Sequence, residues 1–410
     1  MAFISLLDDR AKPKGSRDPL GFELVWSYFG RKVVGNLTTI TSSIENFSVA
    51  LLGFYWANEL NANVDKDNKQ KAVRETFLRY EQMAGYLRSY GKSKTIMGVT
   101  RVTERLRNED RSTVSIGLGS ESQILSDQAS YGLWGLYSSA MRDTGLIKGS
   151  EREMTEKGIS IAQQMNKMLD KGAYFQVIKS NTIAKSEIED LSKSYMAAIQ
   201  YSEMRTELVS SLMSGAGSYP LQNELWGKTN QLFQDKQIQN NHLGEYLSKL
   251  QGLGVSTTLQ QCLHHIEDIE RVLVAINNIF YYCQIKDGIL VDEIINKLKE
   301  QNYDYSYLPD KLPALDFPRK SYIELALSAL KSHDYQQAIK HILDLNAFVM
   351  KQRNGAAWVE LETGNKIRVR VKHEGFKLAS QEKLMTKWDY DYFIGSYLSM
   401  ASSYLGSDHG

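Results

Sequence analysis

The segment from Trp358 to Lys372 carries a polar or charged side chain at nearly every second position. Val359-Glu360-Leu361-Glu362 leads through Thr363-Gly364-Asn365 into Lys366-Ile367-Arg368-Val369-Arg370-Val371-Lys372. Period-two alternation on both sides of a Gly-containing turn predicts a β-hairpin. With Glu362 opposite Lys366, Glu360 falls by Arg368 and Trp358 by Arg370 on one face. Ala357, Val359 and Leu361 then meet Val371, Val369 and Ile367 on the other. In that register Lys366, Arg368, Arg370 and Lys372 could contact a nucleic-acid backbone, with Arg370 over the Trp358 indole. A solvated face of cross-strand ion pairs is the competing reading.

Other constellations are weaker. His264, Glu267 and Asp268 share a helical face at spacings of three and four, which suits a metal-dependent hydrolase or nuclease. No second ligand helix accompanies them, so a solvated polar face is the simpler reading, and neither metal nor cofactor is assigned. Glu360 and Glu362 lack the Glu-x-Lys element of nuclease strands. Ile116-Gly117-Leu118-Gly119-Ser120-Glu121-Ser122 could hold an anion at a helix N-terminus, although helix capping by Ser120 or Ser122 is the favoured reading. There is no Walker lysine loop, paired-cysteine motif or nucleophile in a motif context, so no catalytic residue is assigned. An enzyme with an unrecognised site is the alternative to a binding role.

The elements that must position these residues are helical. The chain has 410 residues, 42% apolar and 24% charged, with only six prolines, a composition that favours a folded protein of long helices. Lysine and arginine number 49 against 48 acids, so any attraction to nucleic acid must be local. Residues 1–20 read as an irregular arm. Ile40, Ile44, Phe47, Leu51, Phe54 and Tyr55 form an apolar helix face, followed by a charged helix over 70–90, a β-like run at Thr113–Ile116 and a helix over 122–142. Leu259, Cys262, Ile266, Ile269, Leu273, Ile276, Phe280 and Cys283 alternate spacings of three and four. That is the pattern of a lengthwise helix seam, internal or dimerising. The two cysteines on it would stand about 30 Å apart at 1.5 Å per residue and cannot bridge each other. An αα-hairpin turns at Ser332-His333-Asp334.

The expected fold is mainly α and multi-domain. It comprises an N-terminal arm and helical segment at 1–65, a helical domain at 66–175, a helical bundle at 176–355, and a β-hairpin with a C-terminal helix at 356–410. No stretch reads as a leader or a membrane span, which makes the cytoplasm the expected location.

Within the second of these domains, Ser130 to Gln164 ("SYGLWGLYSSAMRDTGLIKGSEREMTEKGISIAQQ") resembles winged-helix domains. There a helix ends in Gly-Leu-Ile, a polar wing follows, and Thr-Glu-Lys-Gly opens the next helix; Met154 replaces the usual leucine before the threonine. The resemblance implies nucleic-acid contacts by Arg142, Lys148, Arg152 and Lys157. Together with "RDPLGFELVWSYFGRKVVGNLTT", the block "YGLWGLYSSAMRDTGLI" also resembles uncharacterised bacterial proteins of antiviral-defence gene clusters. That likeness implies a non-catalytic scaffold subunit working beside an ATPase, nuclease or modifying enzyme. The expected partners are other protein subunits, with DNA as a further ligand, a homo-oligomer as an open alternative, and no membrane.

Overall fold

The computed structural model describes residues 18–238 and 242–406; the remainder of the N-terminal arm lies outside the described residues. The chain is mainly α-helical. Its strands, among the described residues, form three two-stranded antiparallel pairs. Two compact units emerge, each assembled from segments distant in sequence. The first takes residues 18–33 and 242–394, the second 34–238 and 395–406.

The first unit is organised around the helix Thr257–Cys283, capped by Ser256, whose hydroxyl accepts from Leu259 N. Its seam faces inward: Leu259, Ile266, Ile269, Leu273, Ile276, Phe280 and Cys283 are buried, and Cys262 is half-buried. Helices Glu23–Gly30, Lys320–Lys331, Tyr335–Gln352 and Gln381–Thr386 pack along it. The seam is therefore internal to one chain. Both thiols are free, and burial pushes that of Cys283 up to about 12, which leaves it a protonated core group. The αα-hairpin forms as expected from Lys320–Lys331 and Tyr335–Gln352, with Asp334 capping the second helix through Gln337 N.

Strands Val359–Glu362 and Lys366–Val369 pair in the expected register, Glu362 opposite Lys366 and Glu360 opposite Arg368. Ala357, Val359, Ile367 and Val369 are buried, while Leu361 stays 49% exposed. The Asn346 side-chain oxygen accepts from the Trp358 and Val359 amides and ties the hairpin to the preceding helix. Its outer edge is also occupied. Ile367 N donates to Ile289 O, while Gly288 N and Val291 N donate to Ile367 O and Asn365 O. An edge strand that would otherwise expose unpaired amides is thereby closed.

The second unit is built on helices Ile44–Leu60 and Lys66–Tyr90, capped by Ser43 and Asp65. Gly53 is what allows them to approach, since a Cβ there would overlap the Tyr80 ring. Tyr80 in turn donates to Val49 O and shares a 2.7 Å hydrogen bond with the Tyr195 hydroxyl. The β-like run is realised as Thr113–Ser115, paired with Thr182–Ala184. Ile40 departs from expectation: it precedes the helix and is half exposed.

The helix expected over 122–142 is broken into Gln128–Tyr131, Leu133–Leu136 and Ser138–Asp143. Gly132 is extended (φ −89°, ψ −170°), and its conformation lets Leu133 N donate to the buried Glu81 carboxylate at 2.6 Å. A side chain on Gly132 would overlap the Gln128 carbonyl, and one on Gly135 that of Ser130. Glycine thus trades helix continuity for a bond to a buried acid. Nor does a helix begin at Ser120 or Ser122; Asp127 is the cap, and Gly117 N is bonded to the Gln82 side chain rather than open to an anion.

Candidate functional site

The Ser130–Gln164 segment lies in the second unit and folds as helix, hairpin, helix. Helix Ser138–Asp143 runs through Thr144 and Gly145 (φ +68°) into strand Ile147–Lys148, which pairs with Glu153–Met154. Helix Glu156–Asn166 follows, capped by Thr155. The Thr-Glu-Lys-Gly sequence has a physical basis here. Thr155 Oγ1 accepts from Gly158 N and donates to the Gly145 carbonyl at 2.7 Å, while Thr155 N donates to Leu146 O. Gly158 presses on the same place: a Cβ would overlap the Leu146 carbonyl oxygen. Gly158→Ala should therefore cost about 1–3 kcal/mol, the range of overpacking, and loosen the hairpin. Thermal denaturation together with faster amide exchange at Thr155, whose N–H bonds Leu146 O, would check this; wild-type stability and protection would show that the clasp is not what holds the hairpin.

The four cations implied by the winged-helix resemblance go to different places. Arg142 is exposed at the end of its helix, and Lys148 projects to solvent with Glu153 3.7 Å away. Lys157 sits in the first turn of Glu156–Asn166, where burial lowers its pKa and the nearby Glu207 partly offsets this. Arg152 turns back from the hairpin tip. Its guanidinium lies 4.0 Å above the Trp134 ring, and Trp134 is itself packed against Phe54 and Phe77. Asn58 donates to Arg152 O, and Gln70 donates to Ser150 O, so the tip rests on helices Ile44–Leu60 and Lys66–Tyr90.

That fold-back creates a feature absent from the sequence motifs. Lys71 and Arg74, one turn apart on Lys66–Tyr90, join Gln70, Trp134 and Arg152 around a concavity of about 430 Å³. Burial, then the charges of Arg142 and Arg74, pull the Arg152 guanidinium down to about 10. It remains charged at neutral pH, but like charges crowd it. Its Nε is buried and, among the described residues, has no hydrogen-bond partner. Its backbone is in the left-handed region (φ +57°), a conformation that costs energy in a residue other than glycine. The sequence motifs do not include Lys71 and Arg74, whose i, i+3 spacing on a charged helix is the signal that could have found them.

In the first unit, the basic hairpin is more nearly neutralised. Arg370 meets Glu360 at 2.8 Å and donates to Ala357 O. Arg368 reaches Glu362 at 3.5 Å, a diagonal partner rather than the directly opposite Glu360. Lys372 has Glu374 at 3.7 Å, and Lys366 is exposed at the turn.

Acid chemistry is no better placed. His264, Glu267 and Asp268 lie on Thr257–Cys283, where Glu267 accepts from Gln251. Among the described residues no three His, Cys, Asp or Glu side chains come together as a metal site would require. Glu270 borders a pocket of about 360 Å³, yet its carboxyl binds the Asp389 and Tyr390 amides and the Tyr392 hydroxyl, holding the 389–392 segment. Among the described residues no helix is long and apolar enough to cross a membrane. Comparison with family models, curated proteins and solved structures finds no match to this chain.

Proposed function

We propose that this chain is a non-catalytic binding subunit of a bacterial multiprotein complex, acting in the cytoplasm and contacting nucleic acid through a winged-helix-like segment at Ser138–Asn166. The observation that carries this reading is the helix–hairpin–helix clasped by Thr155 and Gly158, with Arg142 and Lys148 exposed on it. Cations on a hairpin beside a helix end can follow a phosphate backbone, and neutralising phosphates releases counterions. The resemblance to defence-cluster proteins supports a setting in antiviral defence and the expectation of enzyme partners.

The DNA interaction is tested by fluorescence anisotropy on a duplex across a salt series. Arg142→Glu/Lys148→Glu should weaken binding at every salt concentration and flatten the log–log salt dependence by about 0.9 for each phosphate no longer neutralised. Arg368→Glu/Arg370→Glu should bind like the parent, because those arginines already face Glu362 and Glu360. The reverse pattern would move the interaction to the C-terminal hairpin. Unchanged affinity in both variants would overturn nucleic-acid binding through either surface. Co-purification from the native host after nuclease treatment tests the subunit role, which is refuted if the chain emerges alone.

A further inference from the structure

We propose that the concavity between Lys71, Arg74 and Arg152 is a site for a terminal phosphate group, a phosphate monoester carried by a free mononucleotide or by a nucleic-acid end. The proposal stands apart from backbone binding by Arg142 and Lys148, since neither of those residues lines the concavity.

Three observations converge on a dianionic ligand. First, the lining is Gln70, Lys71, Arg74, Trp134 and Arg152, so the concavity is walled by cations and an amide with no carboxylate among them. Second, Arg152 has a buried Nε with no partner among the described residues, although its neighbouring nitrogen donates to Ser150 O at 2.6 Å. An unbonded buried donor carries a cost that a small shift of the side chain onto a ligand oxygen in the concavity would remove. Third, Arg152 is held there by stacking on Trp134 and by a left-handed backbone, an arrangement that costs energy and fixes the donor fork in advance. The volume, about 430 Å³, exceeds what a phosphate group alone needs and leaves room for an attached sugar.

Shape and charge also limit the ligand. Trp134 is 4% exposed and Arg152 covers it, so the indole is a floor under the guanidinium rather than a platform for a base. Recognition would rest on the phosphate, whose monoester carries a second negative charge that an internal phosphodiester lacks. A chain end is thereby distinguished from a chain interior.

Lys71 and Arg74 are exposed on their helix, so Lys71→Gln/Arg74→Gln should fold normally and isolate the site. Titration calorimetry and thermal shift are measured on the full chain at constant ionic strength, with inorganic phosphate, adenosine monophosphate, and one single-stranded oligonucleotide bearing either a 5′-phosphate or a 5′-hydroxyl. The expected result is stabilisation by inorganic phosphate beyond that of chloride and a drop of at least tenfold in affinity in the double variant. Preference for the 5′-phosphorylated oligonucleotide over its hydroxyl twin would identify a nucleic-acid end as the source; binding of the mononucleotide without that preference would identify a free nucleotide. Equal binding of the two oligonucleotides with no response to phosphate or mononucleotide would overturn the site while leaving backbone binding intact. Equal phosphate binding by parent and double variant would overturn it as well.

Discussion

Ile269→Asp/Ile276→Asp should yield a chain whose first unit does not fold, not a soluble monomer released from a dimer. Both isoleucines are fully buried on Thr257–Cys283, surrounded by helices of the same chain. A carboxylate placed there finds no partner, and even when protonated it leaves a polar group in an apolar seam while removing the packing of a branched side chain. Each change should cost more than about 4 kcal/mol, and the pair rivals the roughly 5–15 kcal/mol that holds a typical domain together. Circular dichroism and limited proteolysis would show loss of helix and rapid cleavage within 257–283. A folded, monomeric double variant derived from an oligomeric parent would instead mean that the seam joins two chains.

The second large effect concerns Glu270. Its carboxyl is 1% exposed, and burial pushes its pKa to about 8; Asp389 nearby adds to the rise, while the amide and Tyr392 hydrogen bonds oppose it. In the unfolded chain the same group titrates near its ordinary 4.5. Below the lower value both states hold the proton. Between the two values only the folded state does, so stability is lost as pH rises through that window at about 1.4 kcal/mol per pH unit, several kcal/mol in all. Above the folded value no further loss arises from this group. Melting temperature should therefore fall from pH 5 to pH 8, the reverse of what an ion-paired carboxylate produces.

Glu270→Gln separates this from other titrations. The amide oxygen can still accept from the Asp389 and Tyr390 amides, and its NH₂ can donate to the Tyr392 hydroxyl, as a protonated carboxyl would. The variant should lose most of the pH slope while keeping the low-pH stability of the parent. An undiminished slope in Glu270→Gln would assign the pH dependence elsewhere. Glu81 in the second unit is pushed up to about 7 by burial, against the opposing effect of its bonds to Leu133 N and Gln128, and contributes in the same direction.

Much of the local architecture was legible in the residue pattern. The seam on Thr257–Cys283, the αα-hairpin turned at Ser332–Asp334 and the pairing of Glu360 with Arg368 follow from periodicity, capping and turn residues, all set by neighbours a few positions away. The same locality explains the helix wrongly expected over 122–142. Its break at Gly132 answers to Glu81, an acid some fifty residues earlier whose position no spacing rule reveals.

Charge neutralisation and the candidate pocket belong to tertiary structure. Sequence determined that cations stand at Arg368, Arg370, Lys148 and Arg152; folding decided that the first two meet acids, that Lys148 faces solvent, and that Arg152 swings onto Trp134 beside Lys71 and Arg74. It also decided that each unit draws on segments distant in sequence, so that residues 18–33 join 242–394 and residues 395–406 join 34–238. The physical reason is the range of the forces involved. Backbone hydrogen bonding and amphipathic periodicity act between residues near in sequence and can be read from it, whereas burial and electrostatic pairing depend on which distant faces meet.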